Sequence, residues 1–171
     1  MQALVIRDEQ PEDVAEIRAV TRAAFETMPY SEQTEAAIVD ALRGAGALAV
    51  SLVAVEDGAV VGHVAFSAVT VGGKAAPGWY GVGPLSVRPD RQRSGIGSAL
   101  MRAGIVRLRE IGAEGCVLVG EPAFYERFGF AASTELAYPG LPGDFFRVIA
   151  LGNDRPAGEV AFHPAFAARD D

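Results

Sequence analysis

The feature that most constrains the fold is a strand that runs directly into a helix through a loop rich in glycine and arginine. The segment reads Leu85-Ser86-Val87-Arg88-Pro89-Asp90-Arg91-Gln92-Arg93-Ser94-Gly95-Ile96-Gly97. The first turn of a helix has backbone N–H groups without intrahelical partners and carries the positive end of the helix dipole. Glycines allow a phosphate to approach such amides closely, so the segment predicts an anion site suited to a pyrophosphate.

Two common phosphate-binding fingerprints do not match this loop. The dinucleotide-binding fingerprint needs a third glycine where the chain has Leu100, and the P-loop needs a lysine that the loop lacks. An ATP-dependent enzyme would also need magnesium-binding carboxylates beside the loop, and none is obvious there. A glycine pair of this kind also occurs in tight turns that pack a helix on a strand, so the glycines alone leave a purely structural role open.

Charge and hydropathy limit the partners. The chain has 171 residues and a formal net charge of −7, which argues against nucleic acid as a partner. Six arginines and one acid lie between Arg88 and Arg109, and a local basic patch on an acidic chain favours a small anionic ligand. A solvated helix face explains the helix arginines equally well. No apolar run approaches the roughly 18 residues of a membrane span.

The two ends of the chain and its cysteine suggest a location and a domain organisation. The N-terminal residues lack the basic and apolar regions of a secretion signal. Cys116 is the only cysteine and cannot form an internal disulfide, which fits a reducing environment. We therefore expect a cytoplasmic protein with one domain over residues 1–171.

Periodicity and turn signals predict an alternating order of elements. Asp57-Gly58 is typical of a hairpin turn, and Gly112 of a helix end. The expected helices cover 11–24, 32–43 (capped by Ser31), 94–111 and 122–128, and the expected strands cover 1–7, 48–56, 59–71, 79–87, 116–119, a segment from Phe130, 145–151 and 159–162. The expected buried positions are Val14, Ile17, Ala24 and Phe25 on the first helix and Ile96, Ala99, Leu100, Ala103 and Val106 on the third. This order predicts an α/β domain with a mixed sheet rather than a doubly wound parallel one.

Two ordered motifs resemble those of the GCN5-related N-acetyltransferase (GNAT) family. Gln92-Arg93-Ser94-Gly95-Ile96-Gly97 is similar to the signature Q/R-x-x-G-x-G/A, and Tyr125-Glu126-Arg127-Phe128-Gly129-Phe130 is similar to the Y-x-x-x-G-F element. The runs 119–125 and 158–166 resemble the YhbS-like branch of bacterial acetyltransferases. The resemblance implies the GNAT acyl-CoA N-acyltransferase fold, with a mostly antiparallel sheet of about seven strands flanked by about four helices. It leaves the structure of the tail, 153–171, open.

The resemblance also implies acetyl-CoA as co-substrate and assigns residues to it. The backbone of Leu85, Ser86 and Val87 would pair with the pantetheine arm, and the amide near Leu85 would polarise the thioester carbonyl. Main-chain amides would bind the pyrophosphate; they belong to Gln92, Arg93, Ser94, Gly95, Ile96, Gly97 and Ser98. Arg91 and Arg93 are candidates for the adenosine-side phosphates. Tyr125 would act as the general acid that protonates the departing thiolate, although packing beside Phe124 and Phe128 also explains this tyrosine.

The general base and the acceptor amine stay open. Glu121, Glu26 and His63 are candidate bases, each with a structural explanation of its own, and an ordered water is a further alternative. Four residues are candidates for an acceptor pocket, and core packing explains them equally well: Met28, Tyr30, Trp79 and Tyr80. No spacing of histidine, cysteine and carboxylate predicts a metal.

Two wider alternatives accompany the enzyme hypothesis. A homodimer is compatible with the sequence. A non-catalytic acyl-CoA-sensing module would keep the same fold, and release of thiol from acetyl-CoA in the presence of amines would separate it from an enzyme.

Overall fold

A computed structural model describes residues 3–29, 31–141 and 143–169, so Tyr30 lies outside the described residues. The strands are β1 (Leu4–Asp8), β2 (Val50–Glu56), β3 (Ala59–Val71), β4 (Lys74–Val87), β5 (Gly115–Val119), β6 (Leu136–Ala137), β7 (Phe146–Ala150) and β8 (Gly158–Ala161). The α-helices are α1 (Val14–Phe25), α2 (Glu35–Gly44), α3 (Ile96–Glu110) and α4 (Pro122–Tyr125). The predicted mixed sheet flanked by helices is confirmed, with eight strands in the described part of the chain rather than about seven.

The strands form a sheet in the order β1-β2-β3-β4-β5-β7, with β8 beside β3 and β6 beside β8. Neighbours are antiparallel except for the β4–β5 and β6–β8 pairs. A parallel pair needs a crossover connection, and here α3 provides it between β4 and β5. The loop that opens α3 therefore lies at the end of β4, where the sequence predicts an anion site.

The hairpin of β2 and β3 forms at the predicted turn. Asp57 and Gly58 have φ angles of 52° and 77°, the left-handed pair that a two-residue hairpin turn requires. A glycine and an aspartate tolerate this conformation more easily than most residues do.

Two predicted details of the helices are wrong: the first residue of α2 and the buried face of α3. Helix α2 begins at Glu35 rather than Glu32, because the Ser31 hydroxyl hydrogen-bonds the Glu35 carboxylate and Thr34 takes the N-cap position. On α3, Val106 is 56% exposed, because the buried face passes through Gly104 instead. A Cβ at Gly104 would overlap the Phe66 ring, so the helix approaches the sheet at its smallest residue.

The segment after α4 and the tail differ from the sequence-based expectation in opposite ways. Phe130 does not begin a strand; the next residue, Ala131, forms a single bridge to Val148. In the tail, β8 pairs with β3 through Ala161 and Val160.

The sheet lies between α3 on one face and α1 with α2 on the other. Consecutive residues of β2 show this alternation, since Leu52 packs in the cluster with Leu100 of α3 and Val53 packs with Ile17 of α1 and Val39 of α2. The two predicted buried positions Ile17 and Ala24 are confirmed, whereas Val14 and Phe25 are only half-buried.

Candidate active site

The sheet opens between β4 and β5. Their ladder runs from the Trp79–Gly115 pair to the Gly81–Val117 pair and ends there. Beyond this point β4 continues to pair with β3, and β5 continues to pair with β7. Two neighbouring strands therefore separate while each keeps its outer partner, and a gap forms between them.

A bulge on β4 marks the point of separation. Val82 pairs with Phe66 and Leu85 pairs with Val64, so two residues of β4, Gly83 and Pro84, lie opposite the single residue Ala65. Bulges bend a strand away from its neighbours, and this one bends β4 where the ladder to β5 has just ended.

Backbone groups of β4 face the gap. The Arg88 amide donates to the Val61 carbonyl at 2.8 Å, so Arg88 and, by alternation, Ser86 direct their backbone groups toward β3. Leu85 and Val87 occupy the alternate positions and direct their N–H and C=O groups into the gap. An extended ligand that enters the gap thus meets a strand edge that pairs with no other strand.

A cavity of about 940 Å³ includes this gap and the glycine-rich loop. Eight of the sequence-predicted site residues line it: Leu85, Val87, Gln92, Arg93, Gly95, Gly97, Ser98 and Tyr125. They come from β4, the loop, α3 and α4, so the fold brings together two motifs that are about thirty residues apart in the chain.

Three other predicted residues do not line the cavity. Ser86 is 1% exposed and pairs with His63 on the face covered by α1 and α2, because side chains alternate along a strand. Both the backbone and the side chain of Ser86 therefore face away from the gap, so the structure gives no support to the prediction that Ser86 contacts the cofactor. Ile96 buries its side chain below α3, and the Ser94 hydroxyl donates to the Arg91 carbonyl, so these two offer only backbone amides.

The loop presents amides at the start of α3. Gly95 is the N-cap residue with φ of 90°, and the amide of Ala99 makes the first intrahelical bond to the Gly95 carbonyl at 3.0 Å. The amides of Ile96, Gly97 and Ser98 precede that bond and therefore have no partner within the helix. The Gln92 side chain braces the loop by donating to the Val87 carbonyl at 3.1 Å.

Three arginines line the cavity near the loop. Arg91 forms an ion pair with Glu56, while Arg93 has φ of 63° in the loop itself. Arg127 lies 5.0 Å above the Phe124 ring, with its guanidinium 3.5 Å from the Ser98 hydroxyl. The sequence reasoning missed Arg127, although it lies inside the second motif. These cations make this end of the cavity electropositive, as a phosphate ligand requires.

Tyr125 lies at the other side of the gap. Burial raises the pKa of Tyr125 to about 12, so its hydroxyl is protonated at neutral pH. Its ring packs edge-on against Phe124 at 4.8 Å and Phe130 at 6.1 Å. A Cβ at Gly120 would overlap the ring, which explains the glycine in that position.

The three candidate bases lie in three different places. Glu121 lines the main cavity. Glu26 is exposed and lines a separate cavity of about 380 Å³ beside Gln33. His63 is fully buried, lines neither cavity, and has Nε2 2.8 Å from the Ser51 hydroxyl. Burial lowers the pKa of His63, so it is neutral in the folded protein.

The other end of the cavity was only partly foreseen. Of the three described candidates for an acceptor pocket, Met28 lines the cavity, whereas Trp79 is buried in the core and Tyr80 packs against it. Phe25, Phe162 and Phe166 also line this end, and they belong to the segment that begins at the end of α1 and to the tail, where the sequence indicates substrate selection. The sequence reasoning missed four further lining residues, which are Glu35, Ile38, Tyr138 and Leu141. They come from distant parts of the chain, and no local pattern connects them.

Neither a metal cluster nor a spanning helix occurs in the described ranges. Among residues 3–29, 31–141 and 143–169, no three histidine, cysteine or acidic side chains group together as metal ligands would. Within the same ranges, no helix is long and apolar enough to cross a bilayer.

Known proteins have similar sequences and similar folds. The model of the acetyltransferase (GNAT) family matches residues 13–130. One relative is the Escherichia coli (strain K12) protein described as the uncharacterized N-acetyltransferase YhbS. The two sequences are 37% identical in an alignment that covers 95% of this chain and 98% of that protein.

Two solved structures superimpose closely. A GNAT family acetyltransferase from Brucella melitensis, in complex with acetyl-CoA, has 52% identity and a TM-score of 0.86, covering 96% of this chain and 98% of that one. YhbS from Escherichia coli, in complex with CoA, has 35% identity and a TM-score of 0.87, covering 97% of this chain and 93% of that one.

Proposed function

Since the chain belongs to the acetyltransferase (GNAT) family, we propose that it binds acetyl-CoA in the gap between β4 and β5 and transfers the acetyl group to a primary amine. The observation that carries this proposal is the end of the β4–β5 ladder at Gly81, next to a helix N-terminus with unpaired amides. Two structural relatives bind CoA or its acetyl thioester, as their complexes state.

The pantetheine arm pairs with the open edge of β4. Leu85 and Val87 supply the backbone groups, because their N–H and C=O face the gap. The pyrophosphate binds the amides from Gln92 to Ser98, with Arg93 and Arg127 supplying positive charge. Arg91 contributes less, since Glu56 already neutralises it.

The reaction is a direct displacement at the thioester. The lone pair of the neutral amine forms a bond to the carbonyl carbon, and the Leu85 amide stabilises the negative oxygen of the tetrahedral intermediate. The C–S bond then breaks, and Tyr125 donates its proton to the thiolate and recovers one from water. The nitrogen loses one proton when the ammonium becomes the neutral amine, and it loses a second after the attack. Water carries the second proton to Tyr125 and so restores its hydroxyl, which leaves an N-acetyl amine, CoA and one released proton as the products.

Removal of the amine proton falls to Glu121 or to a water beside it. Of the three candidate bases, Glu121 lines the cavity that holds Tyr125. His63 and Glu26 have no access to that cavity, so neither takes part in the proposed reaction.

The proposed activity fits a cytoplasmic location, because a reducing compartment keeps the thiol of CoA and the thiol of Cys116 reduced. A homodimer stays compatible with the proposal and contributes nothing to it. One domain over residues 1–171 carries both binding steps.

Calorimetry and a thiol-release assay together test the proposal. The purified protein should bind acetyl-CoA, and CoA thiol should appear only when a suitable amine is present. Binding without thiol release for any amine would favour the acyl-CoA-sensing module over the enzyme. Absence of binding would refute the proposed site altogether.

A further inference from the structure

Three aromatic rings form a continuous wall at the end of the cavity away from the arginines. The Tyr138 and Phe162 ring centroids are 5.3 Å apart, and those of Phe162 and Phe166 are 5.1 Å apart. Tyr138 also stacks on Phe146 at 5.8 Å. We refer to Tyr138, Phe162 and Phe166 as the ring wall; contact between aromatic rings fixes their positions relative to each other.

Glycines of β4 hold the ring wall against the open part of the sheet. A Cβ at Gly81 would lie 2.5 Å from Cε1 of Phe162, and a Cβ at Gly83 would lie 3.9 Å from Cε2 of Phe166. Gly81 is the last residue of β4 that pairs with β5, and Gly83 lies in the bulge. The ring wall thus lies two to four residues along β4 from Leu85, where the proposed thioester carbonyl binds.

The helices α1 and α2 provide the opposite wall. Phe25, Met28 and Ile38 are apolar, and Glu35 adds one carboxylate in the first turn of α2. The Ser31 hydroxyl hydrogen-bonds this carboxylate at 2.8 Å and so restricts its orientation. A carboxylate has about four acceptor positions, so Glu35 retains capacity for a ligand.

Charge is distributed unevenly along the cavity. Its cations, Arg91, Arg93 and Arg127, belong to the loop and to the turn after α4, whereas Glu35 belongs to α2. Among the described lining residues, Glu121 is the other acid, and it directly precedes α4. The compartment between α2 and the ring wall therefore offers one negative charge within apolar and aromatic surroundings.

From this arrangement we infer that the acceptor is a small monoamine whose ammonium group binds Glu35 and whose apolar body packs against the ring wall. The inference rests on the proposed acetyl transfer and adds the class of acceptor. A polyamine or an aminoglycoside carries several ammonium groups, and burial of each one beside apolar walls needs a partner of its own. Aromatic faces attract an ammonium group and accept an apolar body equally well.

Glu35 is a positioning residue in this scheme. It binds the ammonium form on entry, and the proton leaves through Glu121 or water before the nitrogen attacks the thioester. Loss of its charge should therefore weaken amine binding more than it slows the chemical step.

The test compares 2-phenylethylamine with spermidine, kanamycin and a lysine-containing peptide in the thiol-release assay. We expect kcat/KM for 2-phenylethylamine to exceed the others by about 100-fold or more, since the others leave buried charges or hydroxyls unpaired. Glu35→Gln should raise the KM for 2-phenylethylamine by about 10- to 100-fold, with kcat and the Kd for acetyl-CoA nearly unchanged. Glu12→Gln is the matched control, because Glu12 is exposed and lines neither this cavity nor the one beside Gln33.

Phe166→Ala provides a second measurement that does not depend on charge. It should raise the KM for 2-phenylethylamine, and Phe166→Leu should recover part of the loss. Preference for spermidine, kanamycin or the peptide would overturn the inference and leave the proposed acetyl transfer intact. No turnover of 2-phenylethylamine despite acetyl-CoA binding would also overturn it, whereas failure to bind acetyl-CoA would refute the proposed function itself.

Discussion

Substitution of Gly95 by alanine separates two roles of this glycine, one in folding and one in binding. Gly95 has φ of 90°, and a Cβ built there meets no atom within 4 Å. The folding cost is therefore that of the backbone alone, about 1–2 kcal/mol for a left-handed alanine. In a domain of this size such a cost lowers Tm by about 2–8 °C.

The effect on binding should be larger. The open space around that Cβ is the space through which a phosphate would reach the amides of the first turn of α3. Loss of one charge-assisted hydrogen bond costs about 1.5–3 kcal/mol, or about 10- to 100-fold in the Kd for acetyl-CoA. Isothermal titration calorimetry well below both melting temperatures measures this change.

Gly112→Ala is the matched control at the other end of α3. Gly112 has φ of 79°, and a Cβ there also meets nothing within 4 Å, so its backbone penalty is similar. We expect equal loss of Tm in the two variants and loss of acetyl-CoA affinity only in Gly95→Ala. An unchanged affinity for acetyl-CoA in Gly95→Ala would refute the assignment of the loop. An equal loss of affinity in both variants would show that the effect arises from stability.

Three further predictions concern the acid, the buried polar cluster and the ring wall. Tyr125→Phe should lower kcat by about 100-fold or more at an unchanged Kd for acetyl-CoA, because general acids contribute on that scale. The parent protein should show no alkaline loss of kcat below about pH 11, since the pKa of Tyr125 is raised to about 12. Stability should fall as pH drops below about 6.5, because burial keeps His63 neutral in the folded state while it protonates in the unfolded chain. Gly81→Ala should cost about 1–3 kcal/mol by overpacking against Phe162 and should raise the amine KM.

The stability prediction has a second component from Glu9. Burial opposes ionisation of Glu9, but the nearby His63 ring, with its Nε2 3.7 Å away, and hydrogen bonds from Arg43 and Ser51 outweigh it. Together they hold the pKa of Glu9 well below its usual range. Its contribution is present above the unfolded pKa of about 4.3 and is lost as pH falls below it. Thermal melts from about pH 2 to 8 measure both effects. A Tm that stays flat from pH 7 to 5 in the parent would contradict the role given to His63.

Kinetics decide the other two predictions. Unchanged kcat in Tyr125→Phe would remove Tyr125 from the mechanism. An alkaline limb near pH 8 that this variant abolishes would instead contradict the raised pKa of Tyr125. For Gly81→Ala, a raised KM for acetyl-CoA instead of the amine would show that the ring wall serves the cofactor side. Gly44→Ala is the control for this variant, since a Cβ there meets nothing within 4 Å and Gly44, like Gly81, has no positive φ.

The sequence alone predicts features that depend on residues close together in the chain. The Asp57-Gly58 turn, the order of strands and helices and the anion loop all arise from local backbone preferences. Its errors arise where a residue meets a partner that is distant in the chain. At Gly104, for example, the ring of Phe66 on β3 selects the buried face of α3. Apolar counting gives a glycine no weight, so the predicted face includes Val106 instead.

The tertiary structure decided which groups meet in the cavity. Only the pairing of β4 with β3 distinguishes Leu85, whose backbone faces the gap, from Ser86, whose backbone does not. Similarly, Glu35 and the ring wall lie about a hundred residues or more apart in the chain, and only the folded chain brings them to one cavity. Contacts of that range depend on the whole packing arrangement, which no local run of residues encodes, so the sequence predicted a cofactor site and left most of the acceptor site to the fold.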